Sequence, residues 1–217
     1  MFRDRREAGR LLAAEIALTA PDRPVVLALP RGGLPVAAEI AQALNAPLDI
    51  LVVRKVGAPD NPELALAALV DGDPPDLIAN DELVAAYGLD TAGLDALARN
   101  ERPEFERRRQ AYRGTRKPID VAGRTVILVD DGAATGTTAR AALRALARRR
   151  PARVLLAVPV APPDVIAALA READMVVCPR QPDHFRALSL HYRDFPQLTD
   201  REVLKILAAA GPTDTTR

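Results

Sequence analysis

Apolar residues along this chain recur with two different periods. Ala8, Leu11, Leu12 and Ile16 fall three to four residues apart with Arg and Glu between them, which predicts an amphipathic helix over residues 3–18. Val25 to Leu29 (VVLAL) is instead a short unbroken apolar run, the pattern of a strand buried on both faces. Pro35 suits the first turn of a second helix running to about Leu44, with Val36, Ala37, Ile40 and Ala41 turned inward. Leu48 to Val53 predicts a second buried strand, ended by Arg54 and Lys55. The rhythm returns later: strand Thr125 to Val129, helix Thr138 to Arg149, strand Val154 to Val160, helix Val165 to Arg171, strand Met175 to Cys178. Thr199 and Glu202 form a capping-box pattern that opens a closing helix over about 199–210, and the tail GPTDTTR, without apolar pattern, is expected to fray.

Strand, helix and strand in alternation imply an α/β fold, a doubly wound parallel sheet with right-handed crossovers and helices on both faces. The stretch from about Asp71 to Asp120 breaks the pattern with Pro74, Pro75, Gly88, Gly93, Pro103 and Gly114. Its apolar anchors, among them Leu83, Leu94, Leu97, Phe105 and Tyr112, predict a mostly helical insertion over the strand ends rather than a linker.

At 217 residues, the chain is expected to form a single domain over its whole length. It has no uninterrupted apolar run of about 18 residues, and the charged start MFRDRREAGR lacks the apolar core of a signal peptide, so the expected location is cytoplasmic. A net charge of +1 and 3% aromatic residues argue against nucleic acid as a partner, and the arginine clusters at 107–109 and 148–150 read as solvated helix faces. Cys178 is the only cysteine, Ser189 the only serine, and His184 and His191 the only histidines. These counts remove disulfide frameworks and most hydrolase chemistries, and neither GxSxG nor HExxH occurs.

The chemistry concentrates in VILVDDGAATGTT, Val126 to Thr138. A buried strand runs into two carboxylates and then into small residues and hydroxyls that open a helix. Free amides at a helix start, with the hydroxyls of Thr135, Thr137 and Thr138, suit a phosphate dianion, and Gly132 and Gly136 let the backbone come close to it. Asp130 and Asp131 would repel that phosphate; their lone pairs suit a vicinal diol or a divalent cation. The segment is neither a Walker A loop nor a GxGxxG dinucleotide loop. Upstream, Arg31, Gly32 and Gly33 offer a guanidinium and exposed amides to a polyanion at the end of the first strand.

VILVDDGAATGTT resembles the phosphoribosyl-diphosphate (PRPP) signature of type I phosphoribosyltransferases. LPRGGLP is similar to that family's pyrophosphate loop, and RKVGAP to the RKxG segment of its adenine branch. The resemblance implies the family's sheet architecture, with the insertion as a hood. It implies ribose hydroxyls on Asp130 and Asp131, the 5-phosphate on Gly132, Ala133, Ala134, Thr135, Gly136, Thr137 and Thr138, and pyrophosphate on Arg31, Gly32, Gly33 and Lys55. A non-proline cis peptide in the pyrophosphate loop is also implied, as is a closing loop after Lys55 that includes Ala58 to Glu63. The reaction would transfer a phosphoribosyl group from PRPP to a nitrogenous base and release pyrophosphate, as in nucleotide salvage. Arg31, Lys55 and Asp131 are the candidate catalytic residues. Mg2+ would be held mainly through PRPP, with Asp130 and Asp131 as candidate direct ligands. Family members are commonly homodimers. Ala134 stands where the hypoxanthine-guanine branch carries an acid, so that branch fits less well, and the motifs leave the acceptor base open. Phe185, His191 and Tyr192 either contact an aromatic acceptor or pack the last loop. The competing reading is a regulatory protein of the same fold that senses PRPP or a nucleotide without turnover. A PRPP-synthesising enzyme would normally need a second such domain.

Overall fold

The computed structural model describes residues 1–62, 64–72, 74–114 and 116–210. The expectation for the 211–217 tail, and the Glu63 end of the closing loop, lie outside them.

A five-stranded parallel sheet forms the centre. Its strands are β1 (Pro24–Ala28), β2 (Leu48–Ile50), β6 (Thr125–Val129), β7 (Arg153–Ala157) and β8 (Met175–Val177), in the order β2-β1-β6-β7-β8. Strands this apolar bury both faces, and successive residues supply two different cores. Val26 and Ala28 of β1 and Ile127 and Val129 of β6 face one core, which α1 (Arg5–Ala17), α2 (Gly33–Leu44) and α7 (Asp200–Ala209) help to fill. Val25, Leu27, Val126 and Leu128 face the other, against α5 (Thr137–Ala147) and α6 (Pro163–Leu169). The expected strand from Val154 to Val160 ends early, at Ala157; Val160 keeps only an isolated bridge to Arg180.

One expectation is corrected. Leu48 to Val53 is not a single parallel strand with Arg54 and Lys55 at its end. β2 is the edge of the sheet and stops at Ile50; Leu51 still donates its N–H to the Ala28 carbonyl at 2.9 Å, and the chain then turns away. Arg54 and Lys55 lie inside β3 (Val53–Gly57), which pairs antiparallel with β4 (Ala65–Val70). β4 pairs in turn with β5 (Asp76–Ala79) to give a second, three-stranded sheet. β4 is buried at every position, so its apolar run carries no alternation that would mark an antiparallel strand.

The hood is this small sheet with α3 (Asp81–Ala86) and α4 (Thr91–Arg113). α4 runs through Pro103, which the sequence pattern marks as a break, and buries Leu94, Ala98, Phe105 and Tyr112. A buried ion cluster fastens the hood to the edge of the main sheet. Arg113 donates from Nη1 to Asp49 Oδ2 at 2.9 Å, from Nη2 to Asp71 Oδ2 at 2.6 Å and also from Nη2 to the Ile50 carbonyl at 2.8 Å.

Candidate active site

Chain order reverses between β1 and β6. From β1 the chain crosses through α2 to β2 on one side; from β6 it crosses through α5 to β7 on the other. A crevice must open at the carboxyl ends of two such strands. The pairing is in register from Pro24↔Thr125 to Ala28↔Val129, so the loops after the two strands leave at one level. The crevice holds a cleft of about 760 Å³.

The loop after β1 contains a cis peptide between Pro30 and Arg31. It lies hard against the end of β6. A Cβ on Gly33 would stand 2.5 Å from the Val129 carbonyl oxygen, so that position requires glycine, and one on Gly32 would displace the Asp131 carboxylate. Of the segment after β6, Asp130, Asp131 and Thr138 line the cleft, whereas Gly132, Ala133, Ala134, Thr135, Gly136 and Thr137 are not among its lining residues. Gly136 takes φ +69° to turn the chain into α5, and the Thr135 and Thr137 hydroxyls lie 3.1 Å apart beside that first turn. Ala134 and Thr135 are exposed, Ala133 is buried, and Thr138 lines the cleft.

The structure brings Arg31, Gly32, Lys55, Asp130, Asp131 and Thr138 together on the cleft wall. Lys55 reaches it from β3 and has no hydrogen-bond or ion-pair partner among the described residues. Arg54 lines the same wall, but its guanidinium is taken by Glu101 of α4 at 2.7 Å. Arg31 leans towards Asp200 at 3.6 Å. That carboxylate also accepts from the Tyr112 hydroxyl at 2.5 Å and from Arg107 at 3.3 Å, and it is held below the usual carboxylate range chiefly by the Tyr112 bond.

The two acids differ in their surroundings. Asp131 is 8% exposed, and its Oδ2 accepts from Arg5 Nε at 2.7 Å. Asp130 is pushed well above the ordinary carboxylate value, first by burial and then by the negative charge of Asp131. Its Oδ1 accepts the Asp131 N–H at 2.8 Å. As a donor set, two adjacent carboxylates with one oxygen already held by an arginine fit a Mg2+ ion that draws most of its ligands from a bound substrate.

The sequence pattern does not single out Arg5, Leu188, Phe195 or Gln197, all of which line the cleft. Arg5 does leave a signal. A cation in the first turn of a helix faces the positive end of the helix dipole, so its local environment gives no reason for it. Phe185, His191 and Tyr192 are not among the lining residues. Phe185 and His191 stack on each other at 5.0 Å, and Tyr192 is buried with its hydroxyl donating to the Asp131 carbonyl at 2.6 Å.

Comparison with known proteins decides the family. The profile of the phosphoribosyl transferase domain matches residues 5–188. This chain belongs to the phosphoribosyltransferase family. A Mycobacterium tuberculosis protein named as a putative phosphoribosyl transferase is 45% identical over 210 residues, which is 97% of this chain but 47% of the relative. The chain thus spans about half the length of the curated relatives it matches. The crystal structure of TT1426 from Thermus thermophilus superposes with a TM-score of 0.86 at 42% identity, covering 96% of this chain and 98% of that one. An Aquifex aeolicus protein, AQ2163, shares the fold alone, with a TM-score of 0.54 at 13% identity over 84% of this chain and 76% of its own. No helix among the described residues is long and apolar enough to cross a membrane.

Proposed function

We propose that this phosphoribosyltransferase transfers the 5-phosphoribosyl group of PRPP to a ring nitrogen of a nitrogenous base and releases pyrophosphate. The observation that carries this reading is the switch-point cleft. There, two loops and a hood strand far apart in sequence bring the side chains of Lys55, Arg31, Asp130, Asp131 and Thr138 and the backbone of Gly32 around one volume.

Each group then has a use. The Gly132–Thr138 loop takes the 5-phosphate on its amides and hydroxyls. Asp130 and Asp131 accept from the ribose 2- and 3-hydroxyls, and Arg31, Lys55 and the Gly32 amide offset the charge of pyrophosphate, while the Gly33 amide stays on the Leu29 carbonyl at 3.0 Å. As the C1–O bond breaks, its electron pair leaves with pyrophosphate, and the base nitrogen supplies the pair for the new C1–N bond; the base's surplus proton passes to solvent. C1 becomes oxocarbenium-like in between, so the nearby Asp131 carboxylate favours the transition state electrostatically. No protein nucleophile is needed, and catalysis consists of positioning and charge placement. Mg2+ held mainly through PRPP, with Asp130 and Asp131 as candidate further ligands, would neutralise charge on the leaving group. The turn between β3 and β4, whose Pro59 and Pro62 line the cleft, is placed to exclude water. The acceptor would lie among Leu97 and Asn100 of the hood and Leu188 and Gln197 of the C-terminal segment.

Calorimetry with PRPP and Mg2+, followed by a panel of bases read as pyrophosphate release, tests this. Each carboxylate–hydroxyl bond contributes about 1.5–3 kcal/mol, so Asp130→Asn with Asp131→Asn is expected to weaken PRPP binding at least tenfold. Unchanged affinity in that double variant would refute the assignment. Tight PRPP binding without release for any base would favour the sensing role.

A further inference from the structure

Arg5 sits in the first turn of α1, yet its side chain is nine-tenths buried and turned away from that helix. Three contacts fix it. Nε donates to Asp131 Oδ2 at 2.7 Å, Nη1 donates to the Pro196 carbonyl at 2.8 Å, and the guanidinium carbon lies 3.7 Å above the Phe195 ring. Phe195 in turn stacks on Tyr192 at 4.8 Å, so the ring is covered on one side by an aromatic and packed on the other by the cation. These contacts use two of the five N–H donors that a guanidinium carries. No other donor of Arg5 has a partner among the described residues, its nitrogens are not among the sealed, unpartnered atoms, and the residue lines the cleft. A rigid, permanently charged group that lines the cleft therefore holds Nε on Asp131 and leaves its Nη2 donors without a partner among the described residues.

That pairing matches the needs of a hydroxyl. A bound hydroxyl has one proton to give and lone pairs to fill; a carboxylate can only accept and a guanidinium can only donate. We propose that Arg5 is a substrate-binding residue of this site, and that with Asp131 it forms a two-sided clamp on one ribose hydroxyl of the phosphoribosyl donor. Asp131 accepts the hydroxyl proton, and the free Nη2 edge of Arg5 donates to the hydroxyl oxygen. The inference rests on the phosphoribosyl reading above and adds to it a ligand contact from the N-terminal helix, outside the signature loop. It also makes Phe195 a support for the clamp rather than an open stacking face for the acceptor.

The test is sugar discrimination in the full chain. Calorimetry would compare ribose 5-phosphate with its 2-deoxy and 3-deoxy analogues for the wild type, Arg5→Gln and Arg5→Lys, each variant first checked for native circular dichroism. The wild type is expected to lose about tenfold to a hundredfold in affinity for one deoxy sugar, the value of a charge-assisted bond. In Arg5→Gln that preference should shrink to within about threefold, because the intact ribose loses affinity while the deoxy sugar hardly changes. Arg5→Lys, which keeps the charge without the fork, should fall between the two. A support role alone would weaken both sugars by the same factor and leave the preference intact; that result overturns the clamp and spares the phosphoribosyl reading. Failure of the wild type to bind either ribose 5-phosphate or PRPP would overturn both.

Discussion

Replacing Arg113 with methionine should be among the most damaging single changes outside the cleft. Arg113, Asp49 and Asp71 are 8%, 2% and 2% exposed, and the arginine is the only cation that either carboxylate meets in an ion pair among the described residues. Asp49 keeps two backbone donors, from Ile50 at 2.8 Å and Ile119 at 3.1 Å. Asp71 has less: its Oδ1 is buried without a partner, and all its side-chain bonding runs through Arg113. Removing one member of a buried ion pair typically costs about 3–5 kcal/mol, because the abandoned charge stays buried. Two carboxylates are abandoned here, so the upper end of that range is expected, against a total stability of about 5–15 kcal/mol for a domain. Urea unfolding followed by far-UV circular dichroism measures the loss. The triple variant Arg113→Met, Asp49→Asn, Asp71→Asn is the control; with no charge left to strand, it should recover to within about 2 kcal/mol of the wild type. A loss under about 1 kcal/mol in the single variant, or no recovery in the triple, would show that the cluster is not what fastens the hood to the sheet edge.

Gly33→Ala forces a Cβ against the Val129 carbonyl and should cost about 1–3 kcal/mol, seen as a drop in Tm of several degrees, with a matching loss of ligand binding at the cleft. Tyr192→Phe leaves the Asp131 carbonyl without its 2.6 Å donor, so a loss of about 1–3 kcal/mol in chemical denaturation is expected; a neutral result would mean that water replaces the hydroxyl. Burial raises the Cys178 thiol to about 11, which leaves little thiolate at neutral pH. Its alkylation at pH 8 should run about a hundredfold slower than that of an exposed cysteine and climb only as the pH approaches that value, and a fast reaction at pH 8 would contradict the burial. Thr199→Ala removes the box formed with Glu202 and should cost about 1 kcal/mol, measurable as a lowered urea midpoint.

What can be read from the sequence follows the range over which its causes act. β1, β6 and the loop into α5 are dictated by neighbours in the chain: an apolar run, then Asp130 and Asp131, then Gly132 and Gly136 at two positions of positive φ. The same holds for the Thr199–Glu202 box. The hood sheet escapes such a reading because β4 is a continuous apolar run whose antiparallel partners depend on where the chain goes after Leu51. Arg5 and Arg113 look like ordinary surface cations until α1 and α4 are packed, when each proves to pair with acids 126 and 64 or 42 residues away. Arg54 and Lys55, adjacent and chemically alike, end in different roles because Glu101 of α4 reaches only the first.

The wall around Asp131 draws on both extremities of the described chain. Phe2 donates its N–H to the His191 carbonyl at 2.8 Å, Arg193 returns a bond to Phe2 at 2.9 Å, and Arg5 reaches the Pro196 carbonyl, 191 residues away. This sets a constraint on biosynthesis. While the protein is still leaving the ribosome, the strands on either side of the cleft can pair and the signature loop can take shape, but the Arg5 clamp has no Phe195 to rest on and Asp131 lacks the Tyr192 hydroxyl. Contacts of such long separation also form slowly. A nascent chain stalled before residue 192 should therefore hold a folded sheet with an unfinished pocket, and competence for ligand should arrive only once the segment through Pro196 has emerged.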